Sequence, residues 1–152
     1  MGGRGTFAAG KQAAYTYETV GKVDGVKIIN PIDKSKSLKL PEESHSSVGY
    51  VLYDKDGVFH QYREYNSNHE IVLEIGYHHE KSLGHGDILH VHVHNTPGVE
   101  HHGQADKFVI KPGHPLYEKY KKLWFKSLNS CQSFRRGRTD RLSYRVCLRS
   151  LC

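Results

Sequence analysis

The sequence predicts an α+β domain. It is a twisted antiparallel sheet, connected as a meander, with a C-terminal helix packed on one face. Three observations predict it. Short runs rich in β-branched and aromatic residues recur between residues 48 and 94, separated by Asp-, Asn- and Gly-containing turns. Two more such runs flank Asp24-Gly25, a dipeptide that favours a tight hairpin. Leu116, Tyr120, Leu123 and Trp124 then recur at helical spacing behind Pro115, which suits a first helical position.

Taken in order, residues 1–12 are Gly-rich and expected to be mobile. Residues 14–20 and 26–29 form the first hairpin. Residues 30–47, polar and carrying Pro31 and Pro41, read as a connecting loop. Residues 48–53 and 58–65 are strands around the turn Asp54-Lys55-Asp56-Gly57. Residues 70–77 form the next strand, with Ile71, Leu73, Ile75 and Tyr77 on one face. Residues 88–94 form the last. The total expectation is about four to six strands. Residues 13–126 make one domain, and residues 127–152 are an appendage outside the core.

The appendage is set apart by composition. The chain of 152 residues carries a formal charge of +6. Residues 127–152 hold six arginines, one acid (Asp140) and all three cysteines, Cys131, Cys147 and Cys152. The body before them is nearly neutral and prefers lysine. Three cysteines without pairable spacing make neither a disulfide framework nor a zinc site. The tail reads either as an Arg-rich arm for phosphates or as a stretch foreign to the domain, and the simultaneous change in three markers favours the second. No apolar run approaches the ~18–20 residues of a membrane span, and the first residues lack a signal-peptide core. The expectation is a soluble protein with no membrane partner.

Chemistry concentrates in one strand. Eight of twelve histidines lie between His78 and His102, and residues 88–94 read Ile-Leu-His-Val-His-Val-His. Alternation puts Leu89, Val91 and Val93 on one face and His90, His92 and His94 on the other, successive imidazoles about 6.5–7 Å apart. Three uses are open. The first is acid–base catalysis: imidazole titrates near neutrality, so one histidine takes a proton while another gives one. Arg63, Lys107 or Lys111 would then stabilise phosphate charge. The second is metal binding, with neutral imidazoles two residues apart holding Zn²⁺ or Fe²⁺ and a third ligand from His78, Glu74, Glu100 or His102. Gly84-x5-His90-Val91-His92 resembles the opening of a cupin metal motif. Thr96 and Pro97 stand where its glutamate belongs, and its second motif is missing. The third is a solvated or pH-sensitive face without a ligand.

A wider pattern runs from Asp54-x-Asp56-Gly57 through Gln61-Tyr62-Arg63-Glu64-Tyr65-Asn66 and Glu74-Ile75-Gly76-Tyr77-His78. It ends on the loop Gly84-His85-Gly86-Asp87 and on His90-x-His92-x-His94. Over residues 45–110 it resembles the phage-encoded and polymorphic-toxin C-terminal domains of the barnase–EndoU–colicin–RelE-like nuclease group. The resemblance implies metal-independent RNA cleavage, with no cofactor. Within the pattern only His78, His90 and His92 fall at recognisable positions. The expected base and acid are His90 and His92, in an order left open, with His78 beside them; Arg63 is the expected phosphate stabiliser, and Tyr62, Tyr65, His94 and Lys107 the expected substrate-binding residues. The resemblance implies RNA, phage head-associated proteins or an immunity protein as partners, in the bacterial cytoplasm or a virion. The alternatives are a cupin-like metal protein using His90, His92, His78 and Glu74 with Zn or Fe, and a non-catalytic phage accessory or structural protein. A nearly neutral body is unusual for an RNA-binding surface.

Overall fold

Asp24 and Gly25 both adopt positive φ, 48° and 82°, the geometry of a two-residue hairpin turn whose twist matches its strands. That turn joins β1 (Tyr17–Val23) to β2 (Val26–Pro31). The structure, a computed structural model, describes residues 16–94 and 105–132. The remaining strands are β3 (Gly49–Tyr53), β4 (Phe59–Tyr65), β5 (Ile71–His79), β6 (Asp87–His94) and β7 (Ala105–Val109), followed by helix α1 (Pro115–Gln132). All seven strands join one sheet in chain order. Among the described residues the fold is therefore mainly β, with a single helix after the last strand. No helix among the described residues is long and apolar enough to cross a membrane.

The expected sheet needs two corrections. It has seven strands, because β7 reads Ala-Asp-Lys-Phe-Val and carries too few alternating apolar residues to be visible in the sequence. It is also not a pure meander: β2 and β3 pair in parallel, while every other neighbouring pair is antiparallel. A parallel pair needs a long return connection, and the stretch between Pro31 and Gly49 supplies it. That stretch is no solvated linker. Leu40 and Ser44 in it are buried, and Leu40 packs with Tyr17, Ile29, Tyr50, Leu52, Tyr65 and Ile71.

Helix α1 covers the other face. His114 caps it, its Nδ1 accepting the Leu116 amide at 3.2 Å, and Pro115 follows at the first helical position. Tyr117, Tyr120, Leu123 and Trp124 are buried against Val51, Phe59, Tyr62, Ile75, Leu89 and Val91. Tyr53 donates to the Leu123 carbonyl at 2.6 Å, and the Tyr120 hydroxyl donates to Glu64. Leu89, Val91 and partly buried Val93 face the helix, as alternation predicts. Leu73, Ile75 and Tyr77 do the same. Ile71 does not: the register shifts between Glu64 and Tyr65, and Ile71 turns to the opposite cluster. A register irregularity of this kind reverses which face a side chain takes.

The helix backbone continues to Gln132, across the boundary expected at residue 127. Residues 1–15 and 133–152, which hold the Gly-rich start and most of the Arg/Cys-rich tail, lie outside the described residues.

Candidate metal centre

The face away from the helix is polar along one transverse line. Strand register aligns Tyr50 on β3, Arg63 on β4, Glu74 on β5, His92 on β6 and Lys107 on β7. The next line aligns Leu52, Gln61, Gly76, His90 and Val109. Side chains at register partners share a face. Arg63, Glu74, His90 and His92 thus form one patch, and all four are buried.

Arg63 and Glu74 are committed to each other. Arg63 Nε donates to Glu74 Oε2 at 2.5 Å, and its Nη1 donates to the carbonyls of Leu40 and Pro41 at 2.7 and 3.2 Å. Burial by itself would raise the Glu74 carboxyl, but the charge and hydrogen bond of Arg63 outweigh it and hold the group ionised, below its ordinary range. The pair ties the β2–β3 connection down onto the sheet. Two of the expected site residues are thus engaged with each other. Arg63 is only 4% exposed and is held between Glu74 and two backbone carbonyls. Glu74 gives one carboxylate oxygen to Arg63 and lies outside the group of ligand-capable atoms that Glu80, His90 and His92 form.

The imidazoles are arranged differently. His90 is 0% exposed and His92 5%. His90 Nδ1 shares a hydrogen bond with the Ile88 carbonyl at 2.9 Å, which fixes Nδ1 as the protonated nitrogen and leaves Nε2 with a lone pair. The Nε2 atoms of His90 and His92 are both buried without a hydrogen-bond partner. Their rings lie 5.1 Å apart. Burial holds both below the ordinary histidine pKa, so both are neutral at pH 7.

Glu80, just past the end of β5, turns its carboxylate back over this pair. One ligand-capable atom from each of Glu80, His90 and His92 falls within 4.8 Å of the other two. It is the one such group of three among the described residues. Ser82 Oγ donates to Glu80 Oε1 at 2.8 Å and Lys107 Nζ stands 3.7 Å from the same oxygen. The Ser82 hydrogen bond is the main cause that brings the Glu80 carboxyl down to about 2, so it too is charged and ready to ligate.

His78 lies edge-on to His90, ring centroids 4.6 Å apart, and His60 lies 5.9 Å beyond it. Gly76 makes this stack possible. A Cβ there would sit 2.7 Å from His78 Nε2 and 3.2 Å from His90 Cε1. His78 thus supports His90 and does not join the group of three. His94 shares the β6 polar face but falls outside that group too.

The expected base-stacking tyrosines are interior. Tyr62 packs on Tyr120 at 5.3 Å on the helix side, and Tyr65 donates to the Pro41 carbonyl on the other side. They are 3% and 4% exposed and lie on opposite faces, so neither presents a ring to a base. Glu100, His101 and His102 lie outside the described residues. Glu80 was missed in the sequence. It sits in a turn, where strand alternation says nothing about side-chain direction, and only its place in the β5–β6 connection could have suggested it.

No family model, curated protein or solved structure matches this chain. The resemblance to toxin nucleases therefore gains no support from relatives, and the site's own geometry carries the functional argument.

Proposed function

We propose that the protein is a metal-binding protein whose centre is Glu80, His90 and His92, taking a divalent transition ion such as Zn²⁺ or Fe²⁺. The observation that carries this reading is the pair of buried, unpartnered Nε2 atoms converging with a carboxylate. An unsatisfied buried polar atom costs about 1–3 kcal/mol, and two side by side are hard to account for without a ligand. A metal satisfies both at once. Neutral imidazoles and an ionised carboxylate are the protonation states that coordination requires. The donor set, two histidines and one carboxylate, is one that open metal sites use, with the remaining positions left to water or a ligand.

The metal-free ribonuclease expectation draws less from this geometry. It asks for histidines that reach an RNA backbone, and His90 is fully buried. The cation expected for the phosphate, Arg63, is bound to Glu74, which leaves Lys107 as the cation beside the imidazoles.

Protein purified without an affinity tag, analysed for metal and then treated with a chelator, tests the proposal. The expected result is near-stoichiometric zinc or iron, a lower melting temperature after chelation, and loss of the metal in His92→Leu. Metal-free protein that melts identically with and without chelator, and that cleaves a short labelled RNA in the chelator's presence, would favour the ribonuclease instead.

A further inference from the structure

We propose that the centre's exogenous ligand is a small oxyanion held jointly by the metal and the Lys107 ammonium; this rests on the metal-centre reading above. Lys107 is the register partner of His92 and shares its face of the sheet. Its side chain is only 18% exposed, yet its contact with Glu80 Oε1 is 3.7 Å, beyond hydrogen-bond reach. Exposed lysines make both loose and close contacts, and Lys107 differs from them in its burial: Lys119, 60% exposed, stands 3.9 Å from Glu64. Lys121 meets Glu118 and Lys122 meets Asp24 at 2.8 Å each. Lys107 is thus a half-buried ammonium held beside the ligand group without a close acceptor.

Charge completes the argument. Two neutral imidazoles and one carboxylate leave a divalent ion with a net positive charge, and Lys107 adds another. Arg63 and Glu74 cancel each other. Once Glu80 coordinates the ion, it no longer neutralises Lys107. An anion bridging metal and ammonium offsets both charges, and its oxygens accept hydrogen bonds from Lys107 while filling an open coordination position. The ligand must be small, because both imidazoles are almost wholly enclosed. A hollow of about 230 Å³ lies against Tyr17, Thr19, Lys27, His45, Ser46 and Tyr50, away from the ligand group.

Cobalt-loaded full-length protein titrated with inorganic phosphate tests this, read by the visible spectrum of Co²⁺. The expected result is one equivalent of cobalt in wild type and in Lys107→Met, with a phosphate-dependent spectral change in wild type. Lys107→Met should bind phosphate about tenfold more weakly or worse, and Lys107→Arg, which keeps the charge, should fall between the two. A wild-type spectrum indifferent to phosphate, or equal phosphate affinity in Lys107→Met, overturns the inference while leaving the metal centre standing. Failure of wild type to take up cobalt overturns the metal-centre reading itself.

Discussion

On the helix side of the sheet, Val51, Ile75, Leu89 and Val91 meet Leu123 and Trp124 in a mostly apolar contact, to which Tyr53 and Tyr120 add hydroxyl hydrogen bonds to Leu123 and Glu64. On the other side the same strands bury Arg63, Glu74, His90 and His92. The difference is largest within β6. Leu89 and Val91 are satisfied by contact alone. His90 and His92, one residue away from each, keep polar atoms that the described residues do not satisfy. Within the polar face the two halves differ again. Arg63 and Glu74 neutralise each other and hold down the β2–β3 connection, whereas Glu80, with Lys107 3.7 Å away, converges on two imidazole nitrogens that have no hydrogen-bond partner. One half of the face is satisfied as folded, and in the proposed reading a metal ion completes the other.

Arg63→Met should therefore have the largest effect on stability. It leaves Glu74 charged and buried, and frees the Leu40 and Pro41 carbonyls. Breaking a buried pair by removing one partner costs about 3–5 kcal/mol, and a urea unfolding curve reads it. A loss below about 1 kcal/mol would mean that the pair is in effect solvated. Leu123→Ala, the helix-side comparison, should cost about 2–5 kcal/mol through its cavity and leave metal affinity unchanged.

Gly76→Ala should have a smaller effect on stability and a specific one on the centre. The added Cβ runs into His78 and crowds His90. Overpacking costs about 1–3 kcal/mol, and displacement of His90 should weaken metal binding. Unchanged affinity would show that His78 and the His90 ring do not depend on the space over Gly76.

The smallest effect is alkaline. Burial raises the Tyr53 phenol to about 12 from an ordinary 10. The stability linked to it is fully present below pH 10 and is lost as pH rises through 12. Tyr62 and Tyr120 shift the same way, through burial first and then through Glu64. The helix side should therefore loosen at high pH, seen as tyrosinate absorbance that rises late and together with loss of helix signal. Tyrosines titrating at their ordinary value with the helix intact would contradict the packing described.

The helix face was legible in the sequence because periodicity and burial agree there. Leu89, Val91, Leu123 and Trp124 follow from spacing alone. The choice of His90 and His92 was legible for the same reason, since alternation in β6 separates them from the valines. What surrounds them was not. Arg63 and Glu74 pair across β4 and β5, a matter of register that one strand's pattern does not contain. The burial of Arg63 depends on a connection that looks polar. Glu80 arrives from a turn, and β7, which brings Lys107 beside His92, lacks an apolar signature. The pairing of Arg63 with Glu74 was not legible because residue type says that a group is charged, not what neutralises it.

The most direct test is a competition titration of the chelator-stripped, untagged protein with Zn²⁺, set beside His92→Leu and Leu123→Ala. One equivalent bound by wild type and by Leu123→Ala, and none by His92→Leu, is the predicted result. Zinc binding that is absent from wild type, or that survives His92→Leu unchanged, would contradict the assignment of the centre to Glu80, His90 and His92.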